Sequence, residues 1–235
     1  MSTALPARDG SAAVVMLDRR EGPYGEVALR RRGATYEIIA NGCFLMDTAD
    51  GRSERLLVGA ALDALERTAA PAGPSVLIGG LGVGFSLAHA AAEPRWGRIA
   101  VVEREGAIIE WHRDGPLAAF SGGALDDPRV EVLHTDLLEY LAGADGARYH
   151  ALCLDIDNGP DWTVTDANAG LYGPDGLERL RRRLEPGGVL AVWSARPSGA
   201  FEEALRAAGF TDVTTREVAV ARGVPDVVHL ARRAR

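Results

Sequence analysis

Apolar positions along the chain follow three successive rhythms. Over residues 13–17, 26–29, 36–40 and 43–46 they form short runs separated by polar turns, which predicts four strands. Asn41-Gly42 separates the last two runs, and Gly22-Pro23-Tyr24-Gly25 separates the first two. Asn and Gly both tolerate the positive φ that a two-residue hairpin demands, so this segment reads as a small antiparallel β unit. From Ser53 the rhythm turns helical. Leu56, Leu57, Ala60, Ala61 and Leu65 recur on one face, with Ser53 as the expected N-cap and Pro71 and Pro74 as the stop.

The third rhythm alternates. Strands are predicted at 75–79, 98–103, 129–134, 149–155 and 189–194, with helices at 85–92, 107–111, 137–141, 174–184 and 201–208. A strand pair at 212–220 and 226–231 closes the chain. Continuous apolar strands spaced by helices predict an α/β fold, a Rossmann-like parallel sheet with helices on both faces. The expected organisation is a disordered tail at 1–12, an N-terminal β-strand unit at 13–52 and a nucleoside-binding Rossmann-like domain at 53–235.

Composition removes several chemistries. The 235 residues carry 26 basic and 33 acidic side chains, a net charge of −7, and every basic residue is arginine. Without lysine there is no Schiff base to a carbonyl substrate and no phosphate-gripping P-loop lysine. The richness in Ala, Gly, Arg and Pro points to codon bias as the cause. A net negative chain is not expected to hold nucleic acid. No apolar run reaches the ~20 residues of a membrane span, and the first residues lack a charged-then-apolar signal, so no membrane partner and a cytoplasmic location are expected. Cys43 and Cys153 both sit in apolar, strand-like runs and read as buried, reduced core residues; no metal site is expected.

The residues with chemistry cluster where the predicted strands end. Val76-Leu77-Ile78-Gly79-Gly80-Leu81-Gly82-Val83-Gly84 runs a strand through a glycine-rich turn into a helix. Gly79, Gly80, Gly82 and Gly84 let the backbone approach a ligand closely, although a tight strand–helix turn needs the same residues. Glu103 ends the next strand, where an acid can accept from two ribose hydroxyls. Asp136 follows the third strand; it can accept from an adenine amino group and can equally cap the following helix. The fourth strand runs into Asp155-Ile156-Asp157-Asn158-Gly159-Pro160-Asp161-Trp162. Three crowded carboxylates repel, so at least one is expected to hold its proton above the ordinary range and to suit a general base. Trp162 and Tyr172 are candidate walls of an acceptor pocket, or ordinary loop packing. His112 reads as a helix end, and the arginines from Arg179 to Arg183 as a solvated helix face.

In their order these motifs resemble the spermidine synthase (polyamine aminopropyltransferase) family, within the S-adenosylmethionine-dependent methyltransferase class. The likeness covers about residues 20–230 and includes Asp127-Pro128-Arg129-Val130, Gly159-Pro160, Leu171-Tyr172 and Leu184-Glu185-Pro186-Gly187-Gly188. It implies a class I methyltransferase sheet and a sulfonium nucleoside donor, S-adenosylmethionine or its decarboxylated form, across the glycine loop. Glu103 would lie on its ribose, Asp136 near its adenine, and Asp155 with Asp157 would orient or deprotonate an amine acceptor beside Asn158, Asp161, Trp162 and Tyr172. The chain departs from the family pattern in three places. Gly82 stands where the family carries a loop aspartate, Asn158 where it carries a second catalytic aspartate, and Ser53-Glu54 where it carries Tyr-His-Glu. Three readings follow: alkyl transfer of the aminopropyl type to a small amine, methyl transfer from the intact donor, and a non-catalytic nucleoside-binding or interaction protein. Pairing of the N-terminal strands between subunits would give a homodimer.

Overall fold

The computed structural model describes residues 13–66, 72–143, 146–156, 158–163, 166–220 and 223–235. The predicted tail at 1–12 and Asp157 lie outside the described residues. The chain divides into two units, one ending at Ala49 and one beginning at Asp50.

The first unit is an antiparallel meander of β1 (Val14–Gly22), β2 (Gly25–Arg32), β3 (Thr35–Ala40) and β4 (Cys43–Asp47), in that spatial order. Asn41 and Gly42 take φ values of 50° and 78°, as the two-residue hairpin requires. Asn41 also ties the two hairpins together: its Oδ1 accepts from the Glu26 N–H and its Nδ2 donates to the Tyr24 carbonyl. Val27 to Leu29 and Ile38 to Ala40 are buried, whereas Val14, Val15, Met16 and Leu17 on the edge strand are exposed. Cys43 is exposed as well, contrary to the expected core position, because it opens β4 directly after the hairpin.

In the second unit, α1 (Arg52–Glu66) precedes a seven-stranded sheet. Its strands are β5 (Ser75–Gly79), β6 (Arg98–Glu103), β7 (Val130–His134), β8 (Tyr149–Leu154), β9 (Leu184–Ser194), β10 (Phe210–Val218) and β11 (Asp226–Arg233). The order is β10-β11-β9-β8-β5-β6-β7. The five strands from β7 to β9 run parallel; β11 enters antiparallel beside β9 and pairs on its other side with β10. Helices α2 (Phe85–Ala92), α3 (Gly106–Arg113), α4 (Ala118–Ser121), α5 (Leu137–Ala142), α6 (Asp166–Tyr172), α7 (Pro174–Arg183) and α8 (Gly199–Ala207) complete it. Helices α4 and α6 are too short to show a period in the sequence.

Side-chain alternation along β8 shows how the layers sit. Leu152 and Leu154 pack in one core with Leu177 and Leu180 of α7 and with Phe201 and Leu205 of α8. Cys153 between them faces the other way, its Sγ 3.9 Å from the Leu57 carbonyl of α1. Helix α1 therefore covers the opposite face. It begins one residue before Ser53, so Ser53 is not its N-cap; the Ser53 hydroxyl donates to the Glu54 carboxylate instead. Arg183 is not part of a solvated face either. It is 5% exposed and donates to the carbonyls of Tyr140, Gly143 and Ala147, closing the C-terminal end of α5.

Arg129 does similar work at the head of β7. Its guanidinium grips the Asp127 carboxylate and donates to the carbonyls of Ala91, Glu93 and Trp96, joining the end of α2 to the sheet. Hydrogen bonds from a charged donor contribute about 1.5–3 kcal/mol each where they are sheltered, and less where water competes. Arg129→Ala is expected to lower the unfolding free energy by about 2 kcal/mol in chemical denaturation, with the m-value unchanged.

Candidate active site

The sheet reverses its strand order between β5 and β8, and the crevice at such a switch point is where α/β sheets bind ligands. Two hydrogen bonds close the strand ends there. The Asp155 N–H donates to the Gly79 carbonyl and the Gly80 N–H to the Val102 carbonyl, both at 2.9 Å. Gly80 has φ +91°, and a Cβ on it would lie 2.5 Å from the Asp155 carbonyl oxygen. Glycine is required here, since any side chain would push β8 away from the loop.

Glu103 carries the next part of the loop. It is 6% exposed; its Oε2 accepts from the Leu81 N–H at 2.9 Å and its Oε1 from the Glu105 N–H at 2.8 Å. Burial raises its pKa, and the backbone donors oppose that shift. The Gly82 backbone also donates to it; a carboxylate offers about four lone-pair sites, so acceptor capacity remains. Asp136 serves as the N-cap of α5, accepting from Leu138 N–H at 2.7 Å and Glu139 N–H at 3.2 Å.

Asp155 lies just past β8, and its pKa is pushed up to about 8, first by burial and then by the charges of Glu54 and Asp226. The expectation of a proton held at this strand end concerned crowding within the 155–161 loop; the described partners come from α1 and β11. Glu54 is 8% exposed in the first turn of α1, and burial raises its pKa despite the Ser53 hydroxyl at 3.0 Å. Asp226 opens β11 and is raised by burial, with Ser53 countering in part. Three carboxyl groups from three elements thus share one field beside the glycine loop.

The remaining loop residues spread apart. The Asn158 carbonyl accepts from the Ala195 N–H, and Gly159, at φ +112°, lies so close to Ser194 that a Cβ would fall 2.1 Å from its hydroxyl. Asp161 is exposed, and Trp162 is 60% exposed with its N–H bonded to the Gly159 carbonyl. Tyr172 is a core residue, 7% exposed and set edge-on to Phe201 at 5.7 Å between ring centroids. That packing ties Tyr172 to α8. Among the described residues no group of three or more His, Cys, Asp and Glu side chains could hold a metal ion, and no helix is long and apolar enough to cross a membrane.

Sequence reasoning did not find Asp226 or His112. Asp226 looks like an ordinary polar residue after a turn, and only the insertion of β11 beside β9 brings it to the switch point. His112 sits in the last turn of α3 but is 3% exposed, beneath the glycine loop.

Numbered from β5, the parallel strands run 3-2-1-4-5, and the antiparallel β11 beside the fifth completes a Rossmann-like sheet of the class I methyltransferase type. No family model matches the chain. It is 30% identical over 182 residues to a polyamine aminopropyltransferase of Mycobacterium tuberculosis, spanning 76% of this chain and 32% of that protein. It is 31% identical over 206 residues to a polyamine aminopropyltransferase of Corynebacterium efficiens, spanning 83% and 37%. Among solved structures, spermidine synthase from Thermotoga maritima superposes with a TM-score of 0.73 at 16% identity, covering 93% of this chain and 73% of that one. A spermidine synthase in complex with the transition state analogue AdoDATO gives 0.72 at 16% identity, covering 93% and 72%. The chain is thus spermidine synthase-like, at low identity. It spans about a third of the length of the curated relatives it matches.

The raised Asp155 carboxyl has a consequence for stability. The folded state holds a proton that the unfolded chain releases near pH 4, so stability falls as pH rises from there towards about 8. Asp155→Asn removes the buried ionisation. The variant is expected to melt at a higher temperature than the parent at pH 8, and its melting temperature should fall less between pH 5 and pH 8. Glu54 and Asp226 keep part of the slope.

Proposed function

We propose that the chain transfers an aminopropyl group from decarboxylated S-adenosylmethionine to a small amine. The observation that carries this reading is the Asp155 carboxyl at the switch point, beside a glycine loop and within the field of Glu54 and Asp226. The names of the relatives, polyamine aminopropyltransferase and spermidine synthase, support it. The close approach of Gly80 to the Asp155 backbone brings the glycine loop and the acidic residue side by side, as a donor on the loop with an acceptor at Asp155 would need.

In this reading Gly79, Gly80, Gly82 and Gly84 bring the backbone against the donor, Glu103 uses its spare lone pairs on the ribose, and Asp136 faces the adenine. Three acids attract a cationic donor and a protonated amine, and those cations in turn favour the ionised carboxylates. Asp155 takes the proton from the acceptor ammonium. The freed nitrogen lone pair attacks the aminopropyl carbon attached to sulfur; the C–N bond forms, the C–S bond breaks, and its electron pair stays on sulfur. Methylthioadenosine leaves as a neutral thioether, so no acid is needed for the leaving group. Asn158, Asp161 and Trp162 border the acceptor in this assignment. Tyr172 supports the loop from the core.

Gly82 favours a second reading. With no carboxylate at that loop position, the donor's amino group loses an anionic partner, and intact S-adenosylmethionine with methyl transfer becomes the competing chemistry.

Binding and turnover separate the two. Purified protein given decarboxylated S-adenosylmethionine and a diamine should release methylthioadenosine. Turnover only with intact S-adenosylmethionine, releasing S-adenosylhomocysteine, would establish methyl transfer instead, and binding of neither donor nor methylthioadenosine would remove both enzyme readings. Loss of a general base costs about 10²–10⁴-fold. Asp155→Asn should therefore lower kcat by at least about 100-fold, a far larger effect than its loss of donor affinity. Asp226→Asn should raise the acceptor KM by about three- to tenfold with a smaller change in kcat. The rising limb of the pH–rate profile should lie at or below about pH 8, because bound cations pull the Asp155 pKa down from its value in the free protein.

A further inference from the structure

The glycine loop is held from two sides. Glu103 accepts from the Leu81 N–H on one. On the other, His112 of α3 places its Nε2 2.9 Å from the Gly82 carbonyl. A carbonyl oxygen only accepts, so the ring proton sits on Nε2 and the imidazole donates. His112 is 3% exposed, and burial drives its pKa down, keeping the ring neutral. The Leu117 backbone, with the Gly82 carbonyl, opposes that shift from close to the ring. The ring is also wedged against the loop: a Cβ on Gly84 would lie 2.6 Å from His112 Cε1.

This contact falls where the chain has least stiffness of its own. Gly80, Gly82 and Gly84 all take positive φ, at 91°, 50° and 92°. Glycine pays the largest conformational entropy on being ordered, so a loop with three of them needs outside restraints to keep one shape. The Gly80 N–H is fixed by the Val102 carbonyl and the Gly84 N–H by the Leu81 carbonyl. Gly82 lies between these ties; its N–H turns to the Glu103 carboxylate, and the imidazole holds its carbonyl.

We propose that His112 is a positioning residue for the nucleoside donor: its Nε2–H fixes the Gly82 carbonyl and so holds the glycine loop in the shape that receives the donor. The inference rests on the transferase reading, in that the loop is taken as the donor's seat. It goes beyond it by assigning donor affinity to a side chain on α3 that lies beneath the loop. It predicts that donor binding depends on a neutral N–H at this position. Size alone, or the packing of α3 alone, would not suffice.

The test compares His112→Leu, which fills the volume without a donor, with His112→Gln, whose side-chain amide offers an N–H again. Methylthioadenosine binding is measured by calorimetry and the KM for decarboxylated S-adenosylmethionine by turnover, alongside each variant's melting temperature. Losing one buried hydrogen bond should weaken both donor readouts by about three- to tenfold in His112→Leu. The acceptor KM should stay within about twofold of the parent, and His112→Gln should recover most of the donor affinity. Where the leucine variant does not fold, His112→Asn, whose shorter amide falls short of Gly82, takes its place with the same expectation. Equal donor binding by parent and leucine variant overturns the assignment. So does equal weakening in the leucine and glutamine variants, which would show a packing role. A parent protein that binds neither methylthioadenosine nor either donor overturns the transferase reading itself, a result distinct from both.

Discussion

Everything at the candidate site depends on how closely β5 and β8 approach at their C-terminal ends. Gly80 lies against the Asp155 carbonyl with no room for a Cβ, and the Asp155 N–H bonds the Gly79 carbonyl. That one junction fixes the start of the glycine loop and the backbone of the acidic residue together. A ligand seated on the loop therefore meets the Asp155 carboxyl without a hinge between them. The reversal of strand order opens the crevice, and the missing side chain on Gly80 lets its two walls share a hydrogen bond.

The same junction explains the electrostatics. A carboxyl at the end of a buried strand loses water on most sides, and burial is the largest cause of the rise in Asp155. Glu54 reaches it from the first turn of α1 and Asp226 from the head of β11, each itself raised by burial. Acids that raise one another's pKa form a strained arrangement in the free protein. A cation beside them would relieve that strain. The absence of lysine agrees with this logic. The nearby cations are arginines with partners of their own, such as Arg52 on Asp50, so no flexible ammonium competes for the three carboxyls in the way a lysine would.

Much of the scaffold was legible because its signals are local. The alternation of apolar strands and helices, the Asn41-Gly42 hairpin and the placing of Gly79, Glu103, Asp136 and Asp155 at strand ends all follow from residues close in sequence. What escaped was long-range. Cys43 falls in an apolar run, yet it opens its strand just after the hairpin and is exposed. Arg183 looks like one of several solvated arginines, but α7 ends where three carbonyls from the α5 region need a donor. The partner of Tyr172, Phe201, lies almost thirty residues on and is likewise out of reach of a local pattern. Asp226 and His112 matter only because β11 inserts beside β9 and α3 packs under the loop, and no periodicity records either event.

The departures from the family pattern make physical sense when position is separated from charge. Gly82 and Asn158 remove two carboxyls from the loops that border the crevice. Asp226 supplies one from the opposite direction, out of a strand instead of a loop. A carboxyl at the head of a paired strand is held more rigidly than one on a loop: Asp226 pairs with Val218 of β10, and the next residue, Val227, with Ser194 of β9. Its charge therefore acts at a fixed distance from Asp155 and cannot follow a ligand as a loop residue would. The exchange of loop acids for a strand acid thus keeps a carboxyl in the field of Asp155 while moving it off the loop. Gly82 acts differently. Its carbonyl is free to turn towards α3, where His112 takes it, and the loop gains a restraint from the protein where the family pattern has a side chain reaching for the donor. In both places a contact from outside the crevice loops, Asp226 on β11 or His112 on α3, stands where the family pattern has a loop side chain.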